Sequence, residues 1–229
     1  MKGAVIIIGS LLWENEENAL NKEQGLIRAE WRKCLNLERK VSVVVPIRYG
    51  RKSSSKRSTY TMVFSNSVET LGQAYLIPYK KNSKNFAEIR KQAIQLSIAE
   101  GISTKKYPNR LKASWGAVSV SFNKKKNLSE LKENWKNEFQ NFKNDGYRIG
   151  SEKPSITKQG ELNFQINLSD DIDYVFATPV KPELTEYPTI ERVAEAIIES
   201  KPTYDTYVKE NYSNGIRVSS DERLIELIK

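Results

Sequence analysis

Four β-branched residues in a row, Val5-Ile6-Ile7-Ile8, constrain this chain more than any other stretch. The run has no polar face, so it reads as a buried strand near the start of the fold. Gly9-Ser10 breaks it, and glycine can take backbone angles closed to other residues. A strand that ends in a tight Gly-Ser turn exposes backbone N–H groups at its tip. Such groups can hold an anion or a developing oxyanion, which points to a site where the first strand ends. The plainer reading of the same residues is a core strand followed by an ordinary turn.

The rest of the chain reads as alternating short strands with a few helices. Val41–Ile47 is a strand whose end or edge is marked by Pro46. Residues 59–65 and 72–79 are further strands, and so are 115–122. Leu26–Leu37 alternates poorly and is read as a strand. Asn85–Ala99 is a helix with Phe86, Ile89, Ala93 and Leu96 at helical spacing. Asn85 and Glu88 resemble a capping box, and Glu100-Gly101 is its expected end. Residues 128–142 form an amphipathic helix. Beyond Gly146 the texture changes to short strands at 163–168 and 174–177, a proline-punctuated stretch, and helices at 189–200, 204–212 and 221–228. This is an α+β pattern, expected as a small mixed β-barrel with packed helices. A soft boundary near residue 150 divides a barrel domain, 1–150, from a C-terminal α/β extension, 151–229, packed on it.

Composition removes most catalytic chemistries. The 229 residues include no histidine and one cysteine, Cys34. Ser-His-Asp and Cys-His catalysis are therefore excluded, together with the commonest zinc ligand and cysteine-rich metal sites. No metal and no cofactor is expected. Cys34 lies in the apolar and basic stretch Trp31–Leu35 and reads as a packed thiol. An enzyme built from this chain must use Glu, Asp, Lys or Tyr as its acid or base. No apolar run approaches the length of a membrane span, and Ala4–Trp13 runs into Glu14, Glu16 and Glu17 instead of a cleavage site. With no disulfide possible within the chain, a cytoplasmic protein is expected.

Charge is unevenly spread. Residues 1–160 carry 30 lysines and arginines against 14 acids, and residues 161–229 carry 7 against 14. The acidic C-terminal third can neutralise part of the basic body by packing on it, or leave a basic face free for an anionic partner.

The motif Ile7-Ile8-Gly9-Ser10-Leu11-Leu12-Trp13 resembles the Tyr-Gly-Ser-Leu signature of the γ-glutamylcyclotransferase-like family, above all the glutathione-degrading branch, where it continues with Leu or Ile and then Trp. Arg28 and Trp31 follow in order, then Gly72-Gln73-Ala74-Tyr75, then a helix ending in Glu100-Gly101. The resemblance covers about residues 4–122. It implies a small mixed barrel and a cofactor-free reaction on a small anionic γ-glutamyl substrate. The α-amino group would attack its own γ-carbonyl and release 5-oxoproline and an amine or peptide. By the same resemblance Gly9, Ser10 and Leu11 form the substrate loop, and Glu100 is the general base and acid. A helix C-terminus disfavours an ionised carboxylate, which suits Glu100 to that role better than Glu88, the capping partner. The family tyrosine before Gly-Ser is Ile8 here; Tyr49, Tyr60 and Tyr75 are the tyrosines considered in its place.

A second feature is the basic stretch Arg48–Ser58, read as a loop with Arg48, Arg51, Lys52, Lys56 and Arg57 and no acid. Arg48, Arg51 and Arg57 fit the anionic end of a γ-glutamyl substrate. The alternative, which rests on charge alone since no nucleic-acid motif is present, is that they grip a nucleic-acid backbone and the chain is an inactive scaffold of the same fold that binds nucleic acid or another partner. The tyrosine-rich stretch from Tyr204 to Tyr212 reads either as a contact face for a partner or as packing against the body.

Overall fold

The computed structural model describes residues 1–53, 60–200 and 206–229. In chain order the strands are β1 (Gly3–Ile7), β2 (Val41–Val45), β3 (Ile47–Lys52), β4 (Tyr60–Phe64), β5 (Gly72–Pro78), β6 (Ser119–Phe122) and β7 (Tyr174–Ala177). The helices are α1 (Lys22–Arg32), α2 (Phe86–Glu100), α3 (Ser129–Glu138), α4 (Ile190–Glu199), α5 (Thr206–Ser213) and α6 (Asp221–Leu227). This is a mixed α+β architecture.

β1 occupies the centre of a five-stranded mixed sheet with order β2-β5-β1-β7-β6. All five of its residues are buried, as a strand without a polar side must be. It pairs antiparallel with β5, from Ala4 opposite Pro78 to Ile7 opposite Tyr75, and parallel with β7, Gly3 opposite Tyr174. β3 and β4 form a separate two-stranded hairpin, so the described strands make two sheets and not one closed ring. Pro46 lies between β2 and β3. It brings no N–H to a ladder, and β2 ends before it.

Three expectations change. Residues 22–32 are helical, not extended: Asn21 caps the helix by accepting from the Gln24 N–H at 3.2 Å. The apolar spacing is poor because α1 buries only Gly25, which has no side chain, and Trp31. The basic stretch is a strand as far as Lys52, paired with β4 through a register shift between Tyr49 and Arg51. The segment 163–168 forms no strand, although its neighbours bridge to β6 at Val120 and Glu161.

The C-terminal third is woven into the body. β7 is an internal strand of the sheet, bonded on both sides. Farther on, the Gln73 N–H donates to the Arg217 carbonyl at 2.7 Å, and the Arg217 N–H returns to Gln73 at 3.0 Å. The buried Tyr49 hydroxyl donates to Asp221 at 2.7 Å. The position near residue 150 thus precedes a strand that both sides of the sheet need. α3 packs on β7 through Trp135, whose ring lies 5.5 Å from that of Phe176. α1 packs against α2, which sets the geometry of the site below. Among the described residues no helix is long and apolar enough to cross a membrane.

Candidate functional site

The chain leaves β1 at Ile8 and closes a single 3-10 turn at Ser10–Leu12. The Leu12 N–H donates to the Gly9 carbonyl at 3.0 Å and the Glu14 N–H to the Ser10 carbonyl at 2.8 Å. Ser10 and Leu11 open this turn, so their own N–H groups have no acceptor within it. Gly9 is extended, with φ −173°, a conformation open to any residue. Glycine is needed there for another reason. A Cβ at Gly9 would lie 2.8 Å from the Tyr207 hydroxyl oxygen, so the loop packs backbone-first against α5.

α2 delivers Glu100 to the same place. Its N-terminus is capped as the sequence indicates: Asn85 accepts from the Glu88 N–H at 3.1 Å, and the Glu88 carboxylate reaches back one residue farther, to the Lys84 N–H at 2.8 Å. At the other end Gly101 adopts φ +79°, the left-handed C-cap that stops the helix just after Glu100. The last carbonyls of α2 are satisfied from α1. Gln24 donates to Ala99 at 2.6 Å, and Arg28 Nε donates to the same carbonyl at 3.1 Å.

Arg28 joins the parts. Its Nη1 donates to Ser10 Oγ at 3.0 Å and pairs with the buried Glu14 carboxylate; its Nη2 lies 3.7 Å from Glu100 Oε2. The cation therefore answers the partial negative charge of the α2 end at which Glu100 sits. The other carboxylate oxygen, Oε1, accepts from the Thr178 hydroxyl at 2.6 Å. Thr178 directly follows β7, so the C-terminal third supplies one partner of Glu100.

These groups border one cavity of about 170 Å³. Gly9, Ser10, Leu11 and Glu100 all line it, as does Arg51. The Arg51 guanidinium donates to the carbonyls of Trp115 at 3.2 Å and Lys181 at 3.0 Å, and lies 3.2 Å from Glu183. Burial lowers its pKa from the usual arginine value. Arg48 goes elsewhere: it stacks over the Tyr187 ring at 4.1 Å and borders a different cavity. Arg57 lies outside the described residues. Among those residues, no group of three His, Cys, Asp or Glu side chains could hold a metal ion.

Among the described residues the tyrosine that lines the cavity is Tyr207, not Tyr49, Tyr60 or Tyr75. Its buried hydroxyl accepts from the Met62 N–H at 3.3 Å, and burial pushes the phenol pKa up. Trp13 fastens the helix that carries it, donating from Nε1 to Asn211 at 2.7 Å and meeting the Tyr207 ring edge-on at 6.2 Å. Arg28, Thr178 and Tyr207 are site residues that the sequence alone did not assign. Arg28 had a hint in its place after the first strand. Tyr207 had one in the tyrosine-rich stretch, read as a contact face or as packing against the body, and Thr178 had none; nothing local to either reports which residues, 198 and 78 positions away, they meet.

The arrangement puts the Glu100 carboxylate, the Arg28 and Arg51 guanidinium groups and the turn at Ser10 and Leu11 around a small volume, with Glu14 against one cation and Glu183 against the other. It can accept a proton, bind a negative charge and stabilise an oxyanion. No protein-family model, no curated protein and no solved structure matches this chain.

Proposed function

We infer that the protein cyclises a γ-glutamyl compound to 5-oxoproline in the manner of the γ-glutamylcyclotransferase-like proteins. One observation carries this reading. Glu100 and the Gly9–Leu11 loop, 89 to 91 positions apart in sequence, border the same cavity. The hairpin β3–β4 approaches β5, with Ile47 against Gly72, and this contact supports a curved, barrel-like arrangement of that type.

In the proposed reaction the substrate's α-amino nitrogen bonds to its own γ-carbonyl carbon. Glu100 takes the proton that the nitrogen sheds and returns it to the departing amine as the amide C–N bond breaks. The nucleophile is tethered to the electrophile, so the protein has only to hold the folded conformer. The Ser10 and Leu11 N–H groups face the developing oxyanion, and Arg51 takes the substrate carboxylate. Thr178 and Arg28 hold the two oxygens of Glu100 so that one lobe stays toward the substrate.

The inactive-scaffold reading, with nucleic acid held by Arg48–Arg57, has weaker support. Arg48 is stacked on Tyr187, and Arg51 turns inward to Glu183 and two carbonyls. The test is 5-oxoproline release from a panel of γ-glutamyl amines, γ-glutamyl amino acids and glutathione. Release from at least one is expected; none from any would overturn the proposal.

A further inference from the structure

Arg51, the cation offered to the substrate carboxylate, is already held by a carboxylate of the protein. Its Nη2 lies 3.2 Å from Glu183 Oε2, in a pair whose side chains are 19% and 52% exposed. Arg51 lines the cavity and Glu183 does not, so Glu183 meets the guanidinium from outside. A guanidinium is a rigid fork of N–H donors, two of them on Nη1. Those two answer two carbonyls, Trp115 at 3.2 Å and Lys181 at 3.0 Å. A carboxylate that binds Arg51 through two parallel bonds must therefore use the edge formed by Nε and Nη2. Nη2 is the nitrogen that Glu183 faces.

The segment that carries Glu183 is fixed at its ends and loose between them. On one side the Lys181 N–H donates to the Trp115 carbonyl at 2.8 Å, and Val180 bridges to Gly116. On the other side the Tyr187 ring lies under the Arg48 guanidinium at 4.1 Å, and its hydroxyl donates to Glu152. Between these anchors, residues 182–186 form no backbone–backbone hydrogen bond with any described residue. Leu184, half-buried against the core, is the contact that draws the loop back. Glu183 itself has φ +57°. The other described non-glycine residues in that left-handed region are Asn109 and Asn141. Asparagine tolerates the region, whereas glutamate rarely adopts it. The loop is thus strained at the residue whose carboxylate meets Arg51.

We propose that Glu183 is an internal competitor for Arg51: the empty protein keeps its own carboxylate on Nη2, and an entering substrate carboxylate takes that place as the 182–186 loop swings outward. This rests on the reading of Arg51 as the carboxylate-binding residue of the cyclisation site. One carboxylate replaces another, so Arg51 is not left as an unanswered, largely buried cation during the exchange. Glu183 passes into water, and its backbone is released from the left-handed region. The exchange also sets selectivity. A ligand with a carboxylate at this point must displace Glu183, and its apparent affinity is the intrinsic one reduced by the fraction of molecules in which Glu183 has let go. A ligand without that carboxylate has nothing to gain from the exchange.

The test is calorimetric titration of the full chain with 5-oxoproline, and with its carboxamide as the probe that lacks the carboxylate. Glu183→Gln keeps the shape and removes the charge. It should bind 5-oxoproline about threefold to fivefold more tightly than the parent, the effect of losing one half-exposed ion pair, and bind the carboxamide no better. Arg51→Gln should lose 5-oxoproline binding. Glu186→Gln should bind like the parent, because that acid stands on the same loop but pairs with Arg192 at 3.2 Å. In steady-state kinetics Glu183→Gln should lower KM by the same factor and leave kcat unchanged. No saturable 5-oxoproline binding, no gain in Glu183→Gln, or an equal gain in Glu186→Gln would each overturn the proposal. Turnover with an unchanged KM in Glu183→Gln would overturn it while leaving the cyclisation reading intact. Tighter 5-oxoproline binding by Glu183→Gln in a protein that turns over no γ-glutamyl compound would support the competitor and overturn the cyclisation.

Discussion

Replacing Gly9 with alanine tests whether the C-terminal third closes the site. The added Cβ would stand 2.8 Å from the Tyr207 hydroxyl oxygen, closer than carbon and oxygen tolerate, while the next ring atom would be 3.7 Å away, an ordinary contact. The clash is therefore with one atom. That atom belongs to a buried ring on α5, held by the Met62 N–H and by the edge contact with Trp13, and it has no easy way out. Overpacking of this kind costs about 1–3 kcal/mol. Tyr207→Phe by itself gives up the hydroxyl's bonds to the Met62 N–H and to the Asn211 side chain, about 1–3 kcal/mol together. In the Tyr207→Phe background the offending oxygen is gone, and Gly9→Ala should cost well under 1 kcal/mol, because its extended backbone suits alanine. The assay is urea unfolding of the parent, both single variants and the double variant, read as a double-mutant cycle. The double variant should be clearly more stable than the sum of the singles. Additive effects, or a harmless Gly9→Ala in the parent, would show that α5 does not sit on the loop.

Two further perturbations probe the surroundings. The Glu14–Arg28 pair is nearly inaccessible, with 4% and 12% of the side chains exposed, so Glu14→Gln should destabilise by about 3 kcal/mol in urea unfolding; a loss below about 0.5 kcal/mol would show that the pair does not hold the turn to α1. Asp221 is buried, bonded to Tyr49 and the Val218 N–H with Arg217 nearby, and burial pushes its pKa up to about 6. Its unfolded value is about 4, so the native state binds the proton more tightly, and stability falls as pH rises from about 4 to 6. Asp221→Asn removes that fall. The difference in unfolding free energy between variant and parent should move by about 3 kcal/mol in the variant's favour between about pH 4 and pH 7; a difference that stays flat would refute the assignment.

What the sequence disclosed follows from how local each signal is. The apolar run at Val5–Ile8 announces a buried strand because a strand at the centre of a sheet hides β-branched side chains on both faces; β1 takes the first three of the four and is the centre of the sheet. The caps of α2 were legible for the same reason: Asn85, Glu88 and Gly101 act within a few residues of themselves. α1 was misread because its buried surface is narrow and its partners, the last carbonyls of α2, lie about 70 positions away. Gly9 was marked correctly but for a different cause, since its backbone is ordinary and its neighbour is not. The strand at 174–177 and the packing of the Tyr207 stretch on the body were legible, but the place of β7 inside the sheet and the parts of Thr178 and Tyr207 in the cavity were beyond local reading. A four-residue strand between two others and a tyrosine in a polar helix carry no mark of the sites they complete. Arg48 and Arg51 stand three residues apart, yet the irregular register between Tyr49 and Arg51 separates their roles: one stacks on Tyr187, the other borders the cavity.

The most direct measurement of the central claim is the rate of 5-oxoproline formation by the parent and by Glu100→Gln, on whichever γ-glutamyl compound the parent turns over, with matched unfolding curves for both. Glutamine keeps the shape of the side chain and can still accept from Thr178, but it cannot take a proton. Turnover should fall by about 10²–10⁴-fold with stability within about 1 kcal/mol of the parent. A folded Glu100→Gln protein that cyclises substrate at the parental rate would contradict the assignment of Glu100 as the proton-transfer group.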